Sequence, residues 1–225
     1  PLFFINSNSA HLKLVSDYGF EVAEYSGSFE ELLNVTQGAE ILIIDSYQID
    51  AMKILNKKKS STTVVVFDDL GIPYKFADII VNGSPAAQNF NYKSEIWQTV
   101  LFGPKYQIIR DDIQQVPENK DILEPTNLLV CLGSGDPHNM IPSLIRILKD
   151  LITLNAKLKI DFVIGPETTF PEDVGLPNIN FVKAADLPQK LITADMALVG
   201  GGQTLIEVVY SGVPCIAICL AANQI

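Results

Sequence analysis

At 225 residues the chain has room for one large domain or two of ordinary size, and 48% apolar with 19% charged residues marks it as globular. A net charge of −10 argues against a nucleic-acid partner, which would require clustered Lys and Arg. The longest apolar stretches, such as 194–201, break well before the ~20 residues that a bilayer crossing needs, so no stable membrane insertion is expected.

The predicted elements alternate from the first residue. A strand at 2–6 (LFFIN) opens without the basic region of a signal peptide. A helix pattern follows over 9–18, entered from Asn6-Ser7-Asn8-Ser9 rather than from a glycine turn. His11 falls on that helix, far from any strand end, and is not expected to be catalytic. Next come a strand at 20–25 and a helix over 28–37 that begins with the capping-box arrangement Ser28-Phe29-Glu30-Glu31. Strands at 40–45, 62–68, 78–82 and 99–102 complete the first half. The polar stretch 114–125, QQVPENKDILEP, reads as a linker between lobes 1–113 and 126–225. Beyond it lie strands at 126–132, 158–164, 178–182, 195–199 and 213–219. The helix pattern at 140–154 repeats its apolar residues at i, i+3 and i+4, and a shorter helix at 204–211 stops at Gly212. Such alternation predicts an α/β protein of two Rossmann-like lobes, with parallel sheets flanked by helices and a ligand cleft. The chain starts inside a strand and stops just after one, so both ends are expected to be truncated.

The stretch 194–214 carries the most chemistry. Its strand ends in Gly200-Gly201-Gly202, and glycine lets a backbone approach a ligand where a Cβ would clash. The N–H groups of Gln203 and Thr204 then open a helix whose positive end suits an anion. Glu207 stands ~7 Å further along the axis, placed to accept hydrogen bonds from a ribose diol. Together these residues read as a nucleoside-diphosphate site. A second glycine turn, Leu132-Gly133-Ser134-Gly135-Asp136-Pro137, precedes the 140–154 helix and could line the same cleft; Asp136 serves equally well as ligand contact or helix cap. His138, in a first helical turn, reads as a surface residue. In the first lobe Asp45 and Tyr47 close a buried strand, where they either face a cleft or cap and pack. Asp68 and Asp69 close the next strand, and because strand neighbours point to opposite faces one of them should support a loop.

Other chemistries find no motif. The sequence lacks HxH, HExxH, CxxC and GxSxG, and a GxGxxG turn with an acidic residue ~20 positions on is missing too. Cys131, Cys215 and Cys219 give no disulfide framework. Cys215 and Cys219 would sit ~13 Å apart along one strand. A reducing, cytoplasmic compartment fits them.

IIDSY at 43–47, VVVFDD at 64–69, ADIIVN at 77–82, LFGPKYQIIRDDI at 101–113, LLVCLGSGD at 128–136 and the run from ADMALVGGGQTLIE to LAANQ at 194–224 occur in one order. In that order they resemble the UDP-2,4-diacetamido-2,4,6-trideoxy-β-L-altropyranose hydrolases of pseudaminic acid synthesis, the PseG family. Spore-coat polysaccharide proteins of the SpsG type are about as similar, and the second lobe is distantly similar to MurG and other GT-B glycosyltransferases. The resemblance implies attack of water on the anomeric carbon of a UDP-sugar, without metal or other cofactor. It further implies that Glu207 binds the uridine ribose and that the Gly201–Thr204 amides bind the diphosphate, with Gly133 and Ser134 beside them. Asn223 would face the sugar or phosphate, and Tyr47 would sit by the reacting centre. The family's proposed base is a His in a Gly-x-Gly-His-x-x-Arg turn that would precede Pro1; neither His11 nor His138 matches it. The chain is therefore expected to bind UDP without hydrolysing the sugar.

Overall fold

The computed structural model describes residues 1–5, 9–24, 30, 34, 36, 38–46, 61–72, 74–92, 95–114, 124–136, 138–165, 168, 175–221 and 224. It divides into two compact units, Pro1–Ile108 and Ile109–Ile225. Most of the helix expected at 28–37 and of the linker expected at 114–125 lies outside the described residues.

In the first unit β1 (Leu2–Ile5) and β2 (Glu21–Glu24) pair in parallel, with α1 (Ser9–Asp17) between them in the chain. A second parallel sheet runs in sequence order through β3 (Ile41–Ile44), β4 (Thr63–Phe67), β5 (Ile79–Asn82) and β6 (Thr99–Phe102). Its β-branched residues suit an extended backbone. Ile44, Val64, Val66 and Ile80 turn to one core with Ala77. At the end of β4 the Asp68 carboxylate accepts the N–H groups of Leu70, Gly71 and Ile72, and Tyr92 donates its hydroxyl proton to the same group. Asp68 is thus the member of the Asp68-Asp69 pair that supports a loop.

The second unit begins with α2 (Asp111–Gln114). Its sheet comprises β7 (Asn127–Cys131), β8 (Lys159–Ile164), β9 (Ile179–Lys183), β10 (Met196–Gly200) and β11 (Cys215–Ile218). Among the described residues three α-helices lie between these strands in the chain: α3 (Ile141–Leu154), α4 (Leu187–Thr193) and α5 (Gln203–Tyr210). The strand order is β11-β10-β7-β8-β9, all parallel. Period-2 alternation sends the two sides of one apolar run to two cores. Leu128 and Val130 meet Leu144, Ile145 and Leu148 of α3, whereas Leu129 and Cys131 meet Leu187, Leu191, Val199 and Val208. Ile113 is fully buried in the latter core and Ile109 packs against it. That burial draws the start of the second unit to Ile109, ahead of the polar stretch at 114–125. No helix among the described residues is long and apolar enough to cross a membrane.

One local device recurs in both units. Asp78, just before β5, donates its N–H to Val64 O (2.9 Å) and accepts Val64 N–H on its carboxylate (2.7 Å). Asp195, just before β10, does the same with Asn127 (both 2.9 Å) and also accepts Thr126 N–H (2.8 Å). Each Ala-Asp pair therefore fixes the register of a strand against its neighbour. Burial pushes the Asp195 carboxyl up, but the Thr126 and Asn127 donors outweigh it and hold the group below the usual carboxylate range. A depressed folded-state pKa stabilises above the unfolded value and is lost as pH falls through the folded value. We expect Asp195→Ala to cost about 1–2 kcal/mol at neutral pH, at the low end for a charged acceptor because solvent screens this group. In urea unfolding the gap between variant and parent should close as the pH is lowered into the acid range.

Candidate functional site

The order of the second sheet creates a crevice before any side chain is considered. From β7 the chain builds outward through β8 and β9, then returns to the other side of β7 for β10 and β11. The loops leaving β7 and β10 diverge at this reversal, where ligands bind in open α/β sheets. A cavity of about 400 Å³ lies there. Leu132, Gly133, Ser134 and Gly135 form one wall; Gly200, Gly202, Gln203 and Thr204 form the second. Leu220, Ala221 and Gln224, which follow β11, supply a third.

Backbone approaches backbone around this cavity. A Cβ on Gly200 would lie 2.7 Å from Leu132 O and 2.9 Å from Leu220 Cδ1, and one on Gly165 would collide with the carbonyl oxygens of Gly133 and Ser134. Gly133 adopts φ +111°, which side-chain-bearing residues rarely do. In α5 the Leu205 N–H bonds Gly202 O (3.1 Å), so the N–H groups of Gly202 and Thr204 come before the helix's first internal bond. The positive end of α5 therefore opens on the cavity.

Gly201 has a different role from the one expected of it. Its N–H donates to Ile218 O (2.9 Å) and so belongs to the sheet. Of the amides expected to bind a diphosphate, those of Gly202 and Thr204 precede the first internal bond of α5. Gln224 packs beside Gly201, where an added Cβ would lie 3.2 Å from its side chain. Its Oε1 accepts Leu220 N–H (2.7 Å) and its own N–H donates to Ala221 O (3.1 Å). His138 Nε2 meets Leu220 O at 2.7 Å, tying the turn before α3 to this loop. Asp136 spends both oxygens on capping, accepting Met140 N–H (2.7 Å) and Ile141 N–H (2.9 Å).

Glu207 lies one turn into α5, 5% exposed and outside the cavity lining. Its Oε1 is 3.4 Å from Arg110 Nε, and the Gln203 side chain hydrogen-bonds it. Burial pushes its carboxyl above the usual range; Arg110 opposes the rise and Asp112 adds to it. Behind Thr204 the buried Cys131 thiol sits 3.9 Å from Oγ1, its pKa raised by the same burial. Tyr47 and Asn223 lie outside the described residues. Asp45 directly follows β3 of the first unit, and there burial and the nearby Asp69 raise its pKa. Arg110 and Gln224 were not anticipated as site residues, although each stands in a motif quoted above, GPKYQIIRDDI and LAANQ. No group of three or more His, Cys, Asp or Glu among the described residues is arranged to hold a metal ion.

No family model matches the chain. The spore coat polysaccharide biosynthesis protein SpsG of Bacillus subtilis (strain 168) is 25% identical over 195 residues, covering 82% of this chain and 57% of SpsG. Among solved structures, the pneumococcal O-GlcNAc transferase GtfA in complex with UDP and GlcNAc superposes with a TM-score of 0.55 at 14% identity. The GtfA/B complex gives 0.53 at 15%. Each covers 85% of this chain, which spans 44% of the matched one. At such identities the structures show the fold alone, the GT-B arrangement of parallel sheets flanked by helices. The chain spans little more than half of the curated relative it matches. Gly165→Ala tests the close approach: we expect about 1–3 kcal/mol of destabilisation from overpacking, read as a lowered unfolding midpoint.

What the chain shares with known proteins is thus an α/β fold of the GT-B type and a similarity to a polysaccharide biosynthesis protein.

Proposed function

We propose that the second unit binds the diphosphate of a UDP-sugar and that the protein acts on that substrate in the synthesis of a surface polysaccharide or nonulosonic acid. The carrying observation is the cavity at the sheet reversal, with the positive end of α5 and the amides of Gly202 and Thr204 on its wall. Its size suits a diphosphate with part of a nucleoside. Similarity to SpsG supports the pathway class, and the UDP complex of the pneumococcal transferase supports the nucleotide.

Within that reading the whole protein's reaction is hydrolysis of a UDP-linked diacetamido-trideoxy sugar, and the present chain supplies its UDP-binding step. Water attacks the anomeric carbon and gives up a proton to solvent, the bond from that carbon to the diphosphate oxygen breaks, and UDP leaves as the helix amides take up its charge. The resemblance of the GPKYQIIRDDI and GGGQTLIE…AANQ blocks to PseG supports this reaction, with Tyr47 and Asn223 on the sugar side. Transfer of the sugar to an acceptor is the second reading, favoured by the fold shared with GtfA.

Titration calorimetry with UDP tests the binding step. Gly202→Val is the informative variant, because among the described residues a Cβ at Gly202 meets only Gln224 Nε2, at an ordinary 3.6 Å, while a branched side chain would cover the amides. We expect saturable binding by the parent and a loss of about tenfold or more in the variant at an unchanged unfolding midpoint. Equal affinity in the two would sink the proposed cradle. UDP release from the diacetamido sugar nucleotide, with and without a saccharide acceptor, separates hydrolysis from transfer.

A further inference from the structure

Among the described residues the cavity lining carries no charged side chain, yet a buried carboxylate lies one helical turn away. An uncompensated Glu207 would repel the anion that the start of α5 attracts, and the low-dielectric surroundings would strengthen the repulsion. Arg110 removes the conflict. Its guanidinium nitrogen Nε lies 3.4 Å from Glu207 Oε1 and 3.6 Å from Asp112 Oδ1. The segment that bears it is anchored on either side by Ile109 and Ile113, which pack into the core that includes Val208 of α5. A carboxylate can accept about four hydrogen bonds, so Arg110 and Gln203 leave Glu207 with acceptor capacity unused.

Resting on the nucleoside-diphosphate reading above, we propose that Arg110 is a positioning residue for the nucleoside: it fixes the Glu207 carboxylate as acceptor for a ribose diol and cancels its charge beside the diphosphate. Arg110 does not itself line the cavity and acts through Glu207. Among the described residues the groups that bear on Glu207 are Arg110 just before α2, Asp112 within it, Gln203 on its own helix and the Cys131 thiol on β7. Arg110 is the cation among them. Burial and Asp112 favour the protonated acid, and Arg110 with Gln203 favours the carboxylate. Binding through the carboxylate is present above the Glu207 pKa and lost as pH falls through it. Without Arg110 the loss must therefore move to higher pH.

UDP affinity of the full chain is measured by calorimetry from mildly acidic to mildly alkaline pH, with 2′-deoxy-UDP as the control for the diol. We expect Arg110→Gln to weaken UDP binding about tenfold at neutral pH and to shift the acid-side loss upward, by at most about tenfold in affinity per pH unit. Arg110→Lys, which keeps the charge, should recover much of the affinity and return the profile toward that of the parent. Glu207→Gln should flatten the profile and narrow the preference for UDP over the deoxy analogue. A merely structural arginine would change the unfolding midpoint and leave the pH profile in place. If the parent binds UDP and Arg110→Gln has the parental profile, the role of Arg110 is overturned and the nucleotide reading stands. If the parent fails to bind UDP at millimolar concentration, both fall.

Discussion

The second unit depends on a close approach of main chains at the carboxyl ends of its central strands. Where β8 and β10 end, the chain has glycine at residues 165 and 200, and the carbonyls of neighbouring turns occupy the space a Cβ would take, whereas Gly133 after β7 is held to glycine by its φ of +111°. Helices on both faces already bury the apolar side chains of these strands, so their ends have little apolar surface left to cover. What remains there is backbone: N–H groups ahead of a helix, aimed at a crevice opened by the reversal in strand order. A side chain at Gly165 or Gly200 would push the walls apart.

Charge is handled with the same economy. Among the described residues the lining is neutral, and the buried carboxylate of Glu207 near it is paired with an arginine from outside the βα repeat. Leaving that carboxylate unpaired would cost several kcal/mol, since burying a lone charge is expensive. The segment 109–113 does two jobs at once: Ile113 fills a gap in the core over β7 and β10, and that anchoring places Arg110. Asp78 and Asp195 show the opposite use of an acid, as acceptors at strand starts that fix pairing register and take no part in the cavity.

Much of this was legible in local pattern. Strands buried on both faces announce themselves as unbroken runs such as LLVC at 128–131, and helix α3 by its i, i+3, i+4 spacing. The glycine turns at 133–135 and 200–202 were readable as cleft residues because glycine before a helix has few other uses. Roles that depend on a partner distant in sequence were not. Asp136 fitted cap and ligand contact equally until its two oxygens met Met140 and Ile141 N–H. Gly201 looked like its neighbours until Ile218, from the next strand, took its N–H.

The sequence by itself determined the α/β alternation, the parallel sheets and the two turns that face one crevice, because these follow from periodicity and from residues with narrow backbone uses. Tertiary structure alone decided which amides remain for a ligand, which acid caps a loop or a helix, and that Glu207 meets Arg110 across almost a hundred residues of chain. Hydrogen bonds and ion pairs are satisfied by whatever the fold brings within about 3–4 Å, and no spacing rule reports that distance.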